Sequence, residues 1–582
     1  MENGQKKLSQ MLSSSREVFS IPHYQRTYAW GEKQLNEFFE DLYYLKEGRN
    51  YFLGTILLQQ TEEEHGPYEV IHVVDGQQRL TTAIVFIKCL LEQCPTLDAE
   101  KAKVYRETYL GTAEYPKLMV ILQDRDYFNK YISGNIDGKP FINSPSQRRL
   151  YEAKRHLGEQ IAEITEDERI SLLRKLDKHT RILTYSVEDP TEATLIFETN
   201  NDRGKDLTNL EKIKTFLMHK VYLAKAQHPK PMIEKIRERF TRIYEEMEHF
   251  NGKLDEDSVL QYHFIAFEKW GDKEEYQRVT DTLKKRLNIF LRAGQDREII
   301  EFVERFTVEL VETFRIVRNI FDSNHSKVRD LLIVNRLRNV WPTLIKSYKL
   351  DQNNDKKEFY FIVDLLEKFC FRAYGIEQRR SHTGQSELYR NTRDFKGDFE
   401  NLKKLIYWLL DIHTHRFDDF LNYGDMYNWI ATNDLNYLFW KYENHLRIHF
   451  QPVGPALAEE EFLNRGTRTR QTIEHILSQS EANQNKAESE VATDEKYLGQ
   501  LNKEFRDNYL HHIGNLTIDP KSANSSKGAK PVEEKNSRYF VKAPLKIQNE
   551  LEEFMDGEKW TKVSVEQRGQ KLIAFAVKYW AY

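Results

Sequence analysis

Cysteine is nearly absent from this sequence. Cys89, Cys94 and Cys370 are the only three in 582 residues. Their number is odd and their spacing suits no metal, so free thiols in a reducing compartment are expected. Long apolar runs are missing too. Nothing approaches the ~18 consecutive apolar residues of a membrane span, and the mean hydropathy is -0.71. Met1-Glu-Asn-Gly-Gln-Lys-Lys7 has no apolar core after its lysines, which does not read as a secretory signal. A cytoplasmic protein without membrane contact is the expectation. An excess of positive charge is also lacking. At a net charge of -4 the chain as a whole is no obvious polyanion binder, so contact with nucleic acid has to come from local charge. What remains is ordinary globular composition, 40% hydrophobic and 31% charged, with length for roughly two to four domains.

The chemistry concentrates near the C-terminus. Thr472 to Ser480 reads as a short apolar strand, through Ile473, Ile476 and Leu477, that carries Glu474 and His475. Gly514 to Ile518 reads as a second strand, Asp519-Pro520 as a turn, and the polar segment after it as a helix start. A histidine with a pKa of about 6.5 suits proton abstraction near neutrality. Glu474 and Asn524 are oxygen ligands of the kind Mg²⁺ prefers, and Lys527 is a cation for a phosphate. Base, hard cation and phosphate anchor are what phosphodiester hydrolysis requires. A buried strand histidine with unconnected asparagines is the plainer alternative. From Lys521 to Lys546, seven basic residues (Lys521, Lys527, Lys530, Lys535, Arg538, Lys542, Lys546) stand against two acids, Glu533 and Glu534. That window suits a phosphate backbone, or equally a solvated helix face.

The ordered set resembles the HNH (ββα-metal) nucleases. The resemblance implies that Glu474 and Asn524 bind Mg²⁺ or Mn²⁺, that His475 is the catalytic base, that Asn515 orients or braces it, and that Lys527 holds a DNA phosphate. Glu474 stands where Asp is commoner, which lengthens the ligand arm, and Ser478 where many relatives have Pro. No CxxC pair flanks the motif, so the zinc-stapled version is excluded.

Toward the N-terminus, Phe19 to Trp30 sets an extended Ile21-Pro22 step beside Tyr24, Arg26, Tyr28 and Trp30. Lys33 to Glu47 has the spacing of an amphipathic helix, and Phe52 to Leu58 and Tyr68 to Val74 read as buried strands. The second strand runs into Asp75-Gly-Gln-Gln-Arg-Leu-Thr-Thr82 and an apolar helix through Leu91. A strand delivering a glycine turn to a helix start is a ready phosphate site, since the first N–H groups are unpaired and the dipole favours anions. Gly76 permits close approach, Arg79 is a bidentate donor, and Asp75 suits Mg²⁺ or water. A tight turn with Asp75 as cap and Arg79 paired to it accounts for the same residues.

Ile21-Pro-x-Tyr-Gln-Arg-x-Tyr-x-Trp30, Phe52-Leu-Gly-Thr55 and Val74 to Thr82, followed by Phe197-Glu-Thr-Asn-Asn-Asp-Arg-Gly-Lys-Asp-Leu207 and a helix from Glu211 to Leu217, resemble the ParB/sulfiredoxin-like domain of GmrSD-type restriction proteins. The resemblance implies a nucleoside triphosphate (ATP, GTP or another) bound by Asp75, Gly76, Gln77, Gln78 and Arg79, with Gln25 and Arg26 as neighbours. Asp75 and Arg79 would be catalytic in its hydrolysis. Asn201 and Arg203 are further candidates, although Asn-Asp-Arg-Gly is also good turn chemistry. The aromatics from Tyr24 to Trp30 could line a pocket for a modified base.

Residues 225–450 carry little chemistry. The spacing from Ile299 to Phe314 and from Tyr360 to Phe371 indicates packed helices, and Ser381 to Ser386 and Arg390 to Lys396 read as polar loops. Gln451-Pro-Val-Gly-Pro455 breaks the helical pattern. Gln479 to Glu495 reads as an exposed insert between the two strands of the metal site. Trp560 to Tyr582 reads as a closing helix with Leu572, Ile573, Phe575, Ala576 and Tyr579 on or near one face. The expected fold is α+β, predominantly helical and multidomain: a ParB-like α/β domain over 1–225, a helical spacer or recognition domain over 226–450, and an HNH-like domain over 451–582. The resemblance as a whole implies a nucleotide-regulated, modification-dependent (type IV) DNA endonuclease with NTPase activity, acting on modified phage DNA in defence, and it allows a homodimer. Two alternatives stay open: a nuclease toxin without modification dependence, and a ParB-like nucleotide-dependent DNA-binding protein whose HNH region is inactive.

Overall fold

A computed structural model of the chain describes residues 4–14, 16–112, 114–134, 141–187, 208–224, 229–250, 252–353, 355–449, 471–477, 505–520, 530, 532–557 and 559–582. The fold is α+β and mostly helical, as expected, and it divides into two compact units. One comprises residues 1–264 and 270–319, the other residues 265–269 and 320–582. The break at Gln451 to Pro455 and the insert from Gln479 to Glu495 lie outside the described residues.

The first unit is built on a mixed sheet of β1 (Gly4–Lys7), β2 (Glu17–Ser20), β3 (Tyr51–His65), β4 (Tyr68–Asp75), β5 (Leu118–Met119) and β6 (Thr180–Val187), in the order β1-β6-β3-β4-β2-β5. β3 and β4 form an antiparallel hairpin. β6 joins β3, and β2 joins β4, in parallel. Helix α1 (Leu8–Leu12) follows β1, and α2 (Glu32–Tyr43) is shorter than the stretch to Glu47 predicted for it. Helix α3 (Gln77–Glu92) leaves β4 directly and is the centre of the core. Leu80, Ala83, Val85, Phe86 and Leu90 are fully buried around its circumference. A helix apolar on all sides has to be enclosed, and this one fixes where its own first turn stands.

The helical spacing read in the middle of the chain is borne out. Helix Asp296–Phe321 buries Ile299, Val303, Phe306, Leu310, Phe314 and Val317, a repeat of three and four residues. Helix Lys357–Phe369 likewise buries Ile362, Val363 and Leu366. The stretch from Arg390, expected as a loop, is helical as far as Asp394. It belongs to helix Gln385–Asp394, held to the core by Leu388, Tyr389 and Thr392.

In the second unit β7 (Gln471–His475) pairs antiparallel with β8 (Leu516–Pro520), His475 opposite Leu516 and Glu474 opposite Thr517. β8 starts later than predicted. Ile513–Asn515 is a 3₁₀ turn closed by the Asn515 N–H on the His512 carbonyl, and Asp519-Pro520, expected as a turn, stays in the ladder opposite Thr472 and Gln471. Pro520 at the strand terminus removes no interior ladder bond. Helix Thr432–His449 lies across both strands, and the closing helix Lys562–Tyr579 packs on the 3₁₀ turn. Of the residues read on or near one face, Leu572, Phe575 and Ala576 are buried, Ile573 is half-buried and Tyr579 is exposed. All three cysteines are free and buried. Among the described residues no helix is long and apolar enough to cross a membrane.

Candidate functional site

His475 closes β7 and is only 9% exposed. Its Nε2 lies 3.0 Å from Nδ1 of His511. The Tyr427 ring packs against both imidazoles, 4.6 Å from His475 and stacked at 5.5 Å and 17° on His511. Burial, then the charges of His511 and Lys535, pull the His475 pKa down to about 4. The imidazole is therefore neutral near pH 7 and holds a lone pair for a proton, but it is a weaker base than the histidine of pKa about 6.5 that the sequence leads one to expect.

Asn515 is fully buried. Its Oδ1 accepts the Leu477 N–H at 3.0 Å, while Nδ2 donates to the carbonyls of Leu477 at 3.2 Å and Leu510 at 2.8 Å. The Asn515 carbonyl also accepts the Ile476 N–H at 2.9 Å. Ile476 is thus held by the Asn515 backbone and Leu477 by its side-chain amide, which both gives and accepts, as a carboxylate in the same place does not. Asn515 is itself held from the closing helix. Arg568, fully buried, donates from Nη1 to the carbonyls of Gly514 at 2.8 Å and Leu516 at 2.7 Å. At Gly514 a Cβ would fall 2.0 Å from the Val565 carbonyl oxygen, so only glycine lets the turn meet the helix backbone.

Glu474 is 7% exposed and accepts a charge-assisted hydrogen bond from Lys535 Nζ at 2.6 Å on Oε1. The same ammonium, wholly buried, donates to the His475 carbonyl at 3.1 Å. The donor set here is oxygen, which suits a hard cation. As built, however, the pair does not fit a divalent ion on Oε1, because Lys535 stands where that ion would bind. Lys535 also leaves the basic window of the sequence: it points inward, and Lys530 and Arg538 are paired to Glu534 at 2.7 and 2.9 Å. Ser478, Asn524 and Lys527 lie outside the described residues.

In the first unit the Asp75 to Arg79 turn joins β4 to α3. Gly76 caps the helix at φ +87°, where its Cβ would also press on Ile56 and the Thr55 carbonyl. Asp75 Oδ1 accepts the Gly76 N–H at 2.7 Å, and Asp75 Oδ2 lies 3.5 Å from Arg79 Nη2. Burial raises the Asp75 pKa, against the pull of Arg79 and the Gly76 N–H. Arg79 donates to the carbonyls of Leu53 at 3.3 Å and Thr55 at 2.9 Å. This explains the glycine in Phe52-Leu-Gly-Thr55, since a Cβ on Gly54 would fall 1.8 Å from the guanidinium. Gln78 accepts the Ala29 N–H at 2.8 Å and donates to the Thr27 carbonyl at 3.1 Å, and Gln25 donates to the Val74 carbonyl at 2.9 Å. Arg26 is paired with Glu211 at 3.5 Å and Glu256 at 3.7 Å. Tyr24 and Tyr28 are buried. Much of this motif therefore welds residues 21–30 to α3. Arg79 keeps 30% of its side chain exposed, Arg26 27% and Asp75 24%. Gln77 is buried, and its Oε1 has no hydrogen-bond partner among the described residues. The donors a phosphate would use here, the Gly76 N–H and the Arg79 guanidinium, already meet the Asp75 carboxylate and the Leu53 and Thr55 carbonyls. Asn201 and Arg203 lie outside the described residues.

Sequence reasoning misses His511 and Tyr427, and it reads Lys535 only as part of a basic window for a phosphate backbone. His511 lies four before Asn515 and carried the signal of a second imidazole in the same stretch. Lys535 was one lysine in a basic run, and Tyr427 gave no signal. No curated protein matches the chain. Residues 8–218 match the family model of the GmrSD restriction endonuclease N-terminal domain, and residues 415–575 match that of the GmrSD C-terminal domain. The two matches come in order and together cover well over half of the sequence, each within one compact unit. The chain belongs to the GmrSD restriction endonucleases.

Proposed function

We propose that this protein is a cytoplasmic, modification-dependent DNA endonuclease of anti-phage defence whose cutting centre is His475. One observation carries the reading: a neutral imidazole at a strand end, its following residues clasped by Asn515. His475 takes a proton from water as the water oxygen attacks phosphorus. The bond from phosphorus to the leaving oxygen breaks, and the proton passes on to that oxygen or to solvent. A Mg²⁺ or Mn²⁺ ion, when bound, would offset charge on the phosphate. Glu474 and Asn524 are its proposed ligands, on condition that Glu474 parts from Lys535, and Lys527 is the proposed phosphate contact. In the first unit Asp75, Gln77 and Arg79 are proposed to meet a nucleoside triphosphate and regulate cutting, with Gln25, Arg26 and Gln78 holding the turn in place.

The test is cleavage of matched phage DNAs, glucosylated, hydroxymethylated or plain, together with a phosphorothioate plasmid. It is run with Mg²⁺ or Mn²⁺, with and without nucleotide, for wild type, His475→Ala and Asp75→Asn. Cutting confined to one modified DNA, lost in His475→Ala and no longer nucleotide-responsive in Asp75→Asn, is the expected result. Equal cutting of every DNA would leave a nuclease without modification dependence. Cutting unaffected by His475→Ala would remove His475 as the base.

A further inference from the structure

We propose that His511 is the positioning residue of His475: it accepts the Nε2 proton of that imidazole and so holds the Nδ1 lone pair outward, toward the reacting water. The inference rests on His475 being the base proposed above. Two ring nitrogens 3.0 Å apart share one proton between them. If that proton sat on His511, a neutral His475 would carry its own hydrogen on Nδ1 and have no lone pair to offer there. With the proton on His475 Nε2, the lone pair stands on Nδ1, which has no hydrogen-bond partner among the described residues. Which nitrogen carries the hydrogen is set by the bond the other nitrogen makes.

The placement of His511 is built from several sides. Its backbone carbonyl accepts the Tyr427 N–H at 3.2 Å, and its ring is stacked by the Tyr427 side chain. The residues after it are pinned, the His512 carbonyl by the Asn515 N–H and the Gly514 carbonyl by Arg568. His512 itself faces away. Its Nδ1 accepts the Gly514 N–H at 3.1 Å, and its ring fills the space beside Gly569. The two adjacent histidines thus have separate tasks, His512 shaping the turn and His511 meeting the base.

The test compares His511→Phe, which keeps an aromatic ring for Tyr427 but has no nitrogen, with His511→Asn, which keeps an acceptor near the Nδ1 position but has no ring. With the full chain and a DNA that wild type cuts, we expect kcat to fall about 100-fold in His511→Phe with KM little changed, and His511→Asn to recover to within about tenfold of wild type. Cleavage by His511→Phe at the wild-type rate would overturn the proposal, because stacking alone would then suffice. The nitrogen chemical shifts of ¹⁵N-labelled His475 supply a reading that needs no cleavage. An Nε2-protonated tautomer in wild type that loses its preference in His511→Phe is expected, and an unchanged tautomer overturns the proposal. Should wild type cut none of the DNAs, the nuclease reading fails, and the shifts still decide whether His511 sets the tautomer.

Discussion

At the scale of single residues, the informative group is the Glu474–Lys535 pair. Both charges are buried, at 7% and 0% exposure. Removing one partner of such a pair strands the other, at a cost of about 3–5 kcal/mol, while replacing both by neutral groups of similar size is often close to neutral. Glu474→Ala is therefore expected to lower the melting temperature sharply, and Glu474→Gln combined with Lys535→Met to restore most of it. The double variant separates two roles for Glu474. A folded double variant that still cuts DNA would make the carboxylate a structural anchor. A folded double variant that has lost cleavage and metal-dependent stabilisation would make it a metal ligand. Calorimetry with Mn²⁺ alongside the cleavage assay distinguishes them.

At the scale of elements, His475 is held by a short hairpin braced from behind. Two strands are marginal by themselves; here a helix lies across them and the closing helix grips the intervening turn through Arg568. The approach is closest at Gly514. Its absent side chain would overlap the Val565 carbonyl at 2.0 Å and crowd the Gly569 nitrogen at 3.0 Å, both backbone atoms of the closing helix. Gly514→Ala must shift the turn or the helix, and we expect a loss of about 1–3 kcal/mol or more. Because Asn515 follows directly, cleavage should fall further than stability does. A melt and a cleavage assay on the same preparation test this; wild-type cleavage in a measurably destabilised variant would argue that Asn515 holds His475 without help from the helix. The sequence made the strand pattern, the Gly-Asn step and the closing helix legible, since each is written in local periodicity. It did not make legible that Gly514 to Asn515 turn before the strand begins, because that is set by the close approach of a helix beginning some fifty residues later in the chain.

At the scale of the molecule, stability in the second unit has a built-in pH dependence. Glu367 is buried against Tyr437 and Trp580, whose Oη and Nε1 both donate to its Oε1 at 2.9 and 2.8 Å. Burial raises its pKa from 4.5 to about 7, with the Trp580 hydrogen bond opposing and the charge of Asp330 assisting. The folded chain keeps this proton up to about pH 7, whereas the unfolded chain releases it near 4.5. The contribution is thus fully present below pH 4.5 and lost as pH rises to 7, amounting to about 3 kcal/mol. Glu367→Gln keeps an acceptor for both donors and does not titrate. Melting temperatures at pH 5 and pH 7.5 should show the variant gaining on wild type at the higher pH. Parallel changes in the two proteins would mean that Glu367 does not hold the proton in the folded state.

The sequence by itself determined the family, the helix-dominated α+β class and most of the elements, because side-chain spacing and glycine turns act over a few residues at a time. It also named the histidine, the glutamate and the asparagine that the second unit brings to one strand end. Only the tertiary structure decided their partners. Lys535 meets Glu474 across 61 positions of sequence and His511 meets His475 across 36. Nothing in local spacing marks Lys535, within its basic window, as a residue that turns inward. The same holds in the first unit, where Gln25, Gln78 and Arg79 read as ligands for a nucleotide and are in large part spent on backbone carbonyls and amides. A buried polar group takes whichever partner the packed core leaves within about 3 Å, and that choice is made by the fold as a whole.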